Sequence, residues 1–259
     1  MLPRPNRRVR LGLFYRRPLG YAQWRTFVEH LTKRGLPTLS KIRGIILDID
    51  GTLVDSNDAH AKAWVEAFAE HGINAPYEQV RKLIGKGGDK LLPEVSGLSE
   101  ETPEGEAISK RRGEIFKSRY LPRINAFPRT RELLQRMRDD GLKLVVASSA
   151  KEEELKPLLE KAGAADLIEE KTSSDDAENS KPDPDIVKAA LDGSGFSAAE
   201  ALMLGDTPYD IEAASKAGVK VIAFRCGGWD DAGLAGAIAI YDGPDDLLEH
   251  YDDSPLKQE

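Results

Sequence analysis

Along the chain, apolar residues first gather in IRGIILDID (42–50), an unbroken run that suits a strand buried on both faces. The period then changes. In DAHAKAWVEAFAEHG (58–72) apolar residues recur at helical spacing until Gly72 ends them. From residue 127 the two patterns alternate. The predicted order is helix TRELLQRMRDDG (130–141), strand LKLVVASS (142–149), helix EEELKPLLEKAG (152–163) and a short segment DLIEEKTSS (166–174). Helix PDIVKAALDGSG (184–195), strand ALMLGDTP (201–208), helix YDIEAASKAG (209–218) and strand VKVIAFRCGG (219–228) follow. GAIAIYDGPDDLLEHY (236–251) reads as a strand, a turn and an acidic helix.

Strands alternating with helices of this length predict an α/β protein, a doubly wound, Rossmann-like parallel sheet covered on both faces. The interval after the first strand is too long for one crossover, so 57–126 reads as an inserted α-helical cap. The expected organisation is a basic N-terminal extension (1–41), a core (42–56 and 127–259) and the cap (57–126).

Composition narrows the partners. The formal net charge of −7 hides an asymmetry: residues 1–43 hold eleven Lys or Arg against Glu29 alone. The remainder is strongly acidic, which argues against nucleic acid as partner of the main body. The basic stretch is broken by Pro and Gly and shows no sustained helical stripe, so a flexible extension is expected there. No run of 18 apolar residues occurs, and no membrane span is expected. The single Cys226 cannot form an internal disulfide, which fits a reducing cytoplasm, and it reads as a small filler.

In open α/β sheets, ligands bind beyond the carboxyl ends of the strands. Three predicted strand ends carry polar groups there: Asp48 with Asp50, Ser148 with Ser149, and Asp206. Two residues apart on an extended backbone, Asp48 and Asp50 point the same way, and such a pair repels unless a cation intervenes or one carboxyl is protonated. Oxygen-only donors suit Mg²⁺, and no His/Cys cluster suggests zinc. Asp206 adds a further carboxylate, and Asp210 lies one helical turn beyond it. The alternative is that Asp206 or Thr207 merely caps the helix, with Asp210 in the first turn where acids are favoured, but a further strand-end carboxylate beside the first pair favours metal binding. The hydroxyls of Ser148 and Ser149 before a helix start make an anion site, and Lys181 in NSKPDPD offers a positive charge.

DIDGT, VVASS, SKPDPD and LGDTPYD, in this order, resemble the four motifs of the haloacid dehalogenase-like hydrolase superfamily over about residues 42–250. The insertion resembles the helical cap of its phosphoglycolate phosphatase and β-phosphoglucomutase branch. The resemblance implies Mg²⁺-dependent hydrolysis of a small phosphorylated metabolite through a phosphoaspartyl intermediate. It implies Asp48 as nucleophile, and Asp50 as proton donor and then acceptor with its carbonyl on Mg²⁺. Asp206 would be a direct ligand of the metal, and Asp210 would support it through water or from behind. Ser148 would hold a phosphoryl oxygen, Thr52 and Ser149 would join the phosphate site, and Lys181 would neutralise charge. Asp50 separates phosphatase from dehalogenase, because an alkoxide leaving group needs a proton and a halide does not.

For the cap, the glycine-rich loop GKGGDK places Gly85, Lys86, Gly87 and Lys90 as candidate substrate contacts, with a flexible turn as the alternative. His60 shares a helix face with Trp64, and a packing or hinge role is expected of it before a catalytic one. A monomer or homodimer is expected. A mutase of the β-phosphoglucomutase type and a non-catalytic phosphate-binding protein remain alternatives. Receiver domains, which also pair aspartates with a hydroxyl and a lysine, are about half this length and lack the DxD before a helical insert.

Overall fold

The computed structural model describes residues 41–257, so the extension expected over 1–41 lies outside the described residues except for Lys41. Strands β1 (Gly44–Leu47), β2 (Lys143–Ala147), β3 (Glu170–Thr172), β4 (Ala201–Gly205), β5 (Lys220–Phe224) and β6 (Ala239–Tyr241) make one sheet. Its spatial order is β3-β2-β1-β4-β5-β6, and every adjacent pair is parallel. The chain winds outward from β1 to one edge and then to the other, so the order reverses beside β1. That is where a doubly wound sheet opens a crevice at its carboxyl edge.

The predicted apolar runs are buried because helices cover both faces. Side chains alternate along β1. Ile45 and Leu47 join one apolar cluster with Leu133, Leu144 and Leu204, while Ile46 joins the other with Val145, Ile186 and Met203. Helices α5 (Thr130–Asp139), α6 (Glu152–Lys161), α7 (Asp185–Ser194), α8 (Pro208–Lys216) and α9 (Pro244–Glu249) belong to this layered core. DLIEEKTSS contributes only the three-residue strand β3, at the sheet edge, where a short strand leaves little unpaired backbone.

Between β1 and β2 the cap helices run in sequence: α1 (Asn57–Glu70), α2 (Tyr77–Leu83), α3 (Gly88–Ser96) and α4 (Pro103–Ile115). Helix α1 buries His60, Ala61, Trp64, Ala67 and Phe68, the stripe its sequence spacing predicts. Thr102 caps α4 by accepting from the Gly105 amide, with Pro103 in the first turn. The chain leaves α4 through a wider π-helical turn, Phe116–Tyr120, which sets the Phe116 ring against α1. The apolar cluster beneath β1 runs on without a break through Trp64, Phe68, Leu92, Ile108 and Phe116 of the cap.

Strand β5 ends at Phe224, earlier than the apolar pattern of 219–228 predicts, and Arg225–Gly227 form a tight turn. The cause lies at Gly227, where a Cβ would stand 1.8 Å from Asp206 Oδ2. The backbone passes so close to that carboxylate that only glycine fits.

Ile46 is fully buried in the central strand, so Ile46→Ala should lower the unfolding free energy by about 2–5 kcal/mol in urea denaturation. A loss under about 1 kcal/mol would contradict this packing.

Candidate active site

The strand register builds the site. Leu47 is level with Val146 of β2 and Leu204 of β4, so Asp48, Ser148 and Asp206 all leave the carboxyl edge of the sheet together. The Asp48 amide still donates to Leu204 O at 2.9 Å, which fixes where its side chain starts. Gly51 (φ +80°) then turns the chain in a conformation that glycine adopts without strain, and a Cβ there would meet Asn57 and Asp206 within 2.3 Å.

Lys181 enters from the loop before α7 and is buried to 1% exposure. Its ammonium lies 2.5 Å from Asp48 Oδ1 and 2.7 Å from Asp210 Oδ1. Asp48, Asp206 and Asp210 offer oxygens that all lie within 4.8 Å of one another, and all three residues are buried. Thr52 donates to Asp206 Oδ1 at 2.8 Å and also faces Asp48 Oδ2 at 3.3 Å. Asp210 has a double duty. Its Oδ2 accepts from the Thr207 amide and hydroxyl, completing a capping box at the start of α8, while Oδ1 faces Lys181.

One ammonium does not balance three buried carboxylates. Burial pushes the Asp48 carboxyl up to about 7; Lys181 opposes the rise, while Asp210 adds to it. Asp206 is pushed well above the ordinary carboxylate value, first by burial and then by Asp210 and Asp48. Burial alone would lower Lys181, but Asp210 and Asp48 outweigh it and raise it. A hard divalent cation with oxygen ligands would relieve that surplus of negative charge, and the donor set fits one.

Asp50 is set apart from this cluster. Its Oδ1 accepts from the Ser56 hydroxyl at 2.5 Å and lies 2.8 Å from His60 Nε2. Burial raises its pKa, but His60, Ser56 and the charge of Arg112 together hold it below the ordinary value. His60 is buried as expected, stacked on Phe116 with ring centroids 3.9 Å apart, and it also touches Asp50.

A small cavity of about 50 Å³ opens over these groups, lined by Asp48, Asp50, Ser148 and Ser149 from the core and by His60, Trp64, Gly85 and Lys86 from the cap. Ser149 donates to the Gly85 carbonyl at 3.4 Å, a direct contact between core and cap loop. Two candidates are turned away from it. Lys90 is held by Asp183 at 2.9 Å and Asn179 at 3.3 Å, and Gly87 packs against Ser180, so neither is among the lining residues. Thr52 likewise lies beneath the carboxylates, fully buried, with its hydroxyl committed to them. Cys226 is half-buried against the Gly51 carbonyl, and burial and Asp206 push its thiol up, which suits a filler and not a nucleophile.

Four residues that the sequence reading passed over hold the site. Ser56 fixes Asp50, and buried Asn57 donates to Asp206 Oδ2 at 2.8 Å and to Gly227 O at 3.1 Å. Arg112 Nη1 donates to both oxygens of Glu154, at 3.0 and 2.9 Å, and both residues line the cavity. Only the polar pair Ser-Asn opening an otherwise apolar helix face hinted at the first two. Nothing local links Arg112 to a glutamate 42 residues on.

The family model of the haloacid dehalogenase-like hydrolase matches residues 45–224. The chain belongs to this family, and it is a phosphatase enzyme. It is 30% identical over 210 residues to a phosphoglycolate phosphatase of Rhodospirillum rubrum, covering 77% of this chain and 87% of that one. A solved hydrolase from Pseudomonas syringae superposes with a TM-score of 0.76 at 30% identity, over 82% of this chain and 98% of the other. The fold is shared with a β-phosphoglucomutase from Clostridium difficile (TM-score 0.72, 20% identity, 82% and 96% covered).

Because Asp48 is raised in the fold, the folded protein holds a proton that the unfolded chain releases near the usual carboxylate value. The contribution of Asp48 to the stability of the metal-free protein is therefore full at low pH and is lost as pH rises from about 4 through about 7. Without divalent cation, Asp48→Asn should melt at a higher temperature than wild type at pH 8, and the gap should close toward pH 4. Scanning calorimetry at the two pH values checks this; a variant less stable than wild type at pH 8 would contradict it.

Proposed function

We propose that the protein is a Mg²⁺-dependent phosphatase of a small phosphorylated metabolite, of sugar phosphate or phosphoglycolate type, working through a phosphoaspartyl intermediate. The observation that carries this reading is the buried Lys181 ammonium bridging strand-end Asp48 and Asp210 at the carboxyl edge of the sheet, with Ser148 alongside. That arrangement leaves an anionic nucleophile beside fixed positive charge, which is what attack on a phosphate ester requires. The names of curated relatives, phosphoglycolate phosphatase among them, and the phosphate-ester logic of Asp50 point the same way.

In the first half-reaction an Asp48 oxygen attacks phosphorus, an acyl phosphate forms and the ester P–O bond breaks. Asp50 gives its proton to the departing alkoxide oxygen. In the second half it takes a proton from the water that attacks phosphorus and frees Asp48, which restores the proton it gave to the alkoxide. His60, 2.8 Å from Asp50, helps to orient that carboxyl. Lys181 holds charge against the transferring group, and Ser148 binds a phosphoryl oxygen.

Asp48, Asp206 and Asp210 would hold the metal, together with the Asp50 carbonyl, and Asn57 and Thr52 keep Asp206 aimed. When bound, Mg²⁺ would supply charge neutralisation for the phosphate oxygens. The cap closes the cavity over these groups and limits water, the role of a lid.

With p-nitrophenyl phosphate and Mg²⁺, wild type should turn over, and chelation by EDTA should stop it. Asp48→Asn should lose at least ~10³-fold in kcat, the scale set by loss of a covalent nucleophile. Lys181→Ala should lose roughly 10²-fold or more, as removal of a preorganised electrostatic group does. Retention of more than a trace of activity by Asp48→Asn would reject the covalent step. Absence of turnover by wild type across a broad panel of phosphate esters would reject the phosphatase reading.

A further inference from the structure

Arg112 and Glu154 line the same cavity as Asp48 and Asp50, and their charges are already spoken for. Arg112 of α4 reaches across from the cap to Glu154 of α6 in the core, and both side chains are buried, 8% and 1% exposed. Desolvation makes a buried ion pair costly to form, and costlier still to break by removing one partner. The Arg112 guanidinium also lies over the Trp64 ring, 5.2 Å from its centroid, which fixes its plane against the cap. Lys86, also on the lining, faces Glu94 at 2.5 Å and the Tyr209 ring at 5.0 Å. Each cationic side chain that the cap brings to this wall therefore comes with a carboxylate already attached.

We infer that Glu154 is a specificity-determining residue: it occupies the Arg112 guanidinium in place of a substrate anion, and so selects phosphate esters whose leaving group carries no second negative charge. The inference rests on the phosphatase reading and narrows its substrate class to esters of neutral alcohols, a polyol or an unmodified sugar. A leaving group with its own carboxylate or second phosphate would have to displace Glu154 from the guanidinium or face its charge uncompensated. Specificity of this kind comes from a built-in repulsion as much as from attraction. A neutral hydroxyl meets no such penalty. Arg112 keeps its Nε–H buried without an acceptor among the described residues.

Phosphoglycolate and 2-hydroxyethyl phosphate form a matched pair of probes, alike in size and differing in a carboxylate against a hydroxymethyl group. For wild type with Mg²⁺, kcat/KM should favour 2-hydroxyethyl phosphate by at least ~10-fold, the discrimination that one buried, charge-assisted interaction provides. Glu154→Gln keeps the shape and a hydrogen-bond acceptor for Arg112 but removes the charge, and it should shift that ratio toward phosphoglycolate by ~10-fold or more. Arg112→Met together with Glu154→Leu removes both charges, leaves this wall neutral, and should keep the ratio near that of wild type. A pair that only holds the cap shut would slow both esters alike and leave the ratio unmoved in Glu154→Gln, which would overturn the inference. Equal rates on the two esters, or a preference for phosphoglycolate, in wild type would overturn it without any variant. Absence of turnover on both esters and on p-nitrophenyl phosphate would instead overturn the phosphatase reading, and this inference with it.

Discussion

The buried Lys181 ammonium is the constraint around which the core site is arranged. It meets Asp48 at the end of the first strand and Asp210 at the start of α8, two carboxylates from distant parts of the chain. Isolated in an apolar interior, either charge would be expelled or neutralised; together they hold the loop before α7 against the carboxyl edge of the sheet. The compensation is incomplete by design of the donor set. Asp206 adds a carboxylate with no lysine of its own among the described residues, and the two strand-end aspartates respond by rising in pKa. The same imbalance that strains the metal-free fold makes the site ready for a cation and a phosphate.

Around that centre, the structure divides labour between the two aspartates of DIDGT. Asp48 faces Lys181, whereas Asp50 faces the cap, tied to Ser56 and His60 of the segment entering α1. Asp50, the proposed general acid, thus contacts the element that covers the site. Phe116, stacked on His60, extends the contact to the far end of the cap, next to Arg112.

Much of this was legible in the sequence. Apolar runs, period changes and Gly stops located the strands and helices, and the placement of Asp48, Ser148 and Asp206 at strand ends followed from parallel topology alone. Lys181 illustrates the limit. As a lone lysine in a polar loop it looks like any solvated cation, and only its place among four ordered motifs suggested otherwise. Lys90 shows the converse, since its glycine-rich neighbourhood suggested a substrate contact, yet Asp183 and Asn179 capture it. Gly227, Asn57 and the Arg112–Glu154 pair were hidden for one reason. Each acts through a contact between residues far apart in sequence, and neither periodicity nor local motif encodes such a partner.

A divalent cation would complete the cluster of buried carboxylates around Lys181. Titration calorimetry of Mg²⁺ into wild type near pH 7, repeated in buffers of different ionisation enthalpy, tests it most directly. Mg²⁺ should bind with net proton release, because the Asp48 carboxyl, pushed up to about 7 by burial, must lose its proton to bind metal. Failure to bind Mg²⁺, or binding with no dependence of the heat on the buffer, would contradict it.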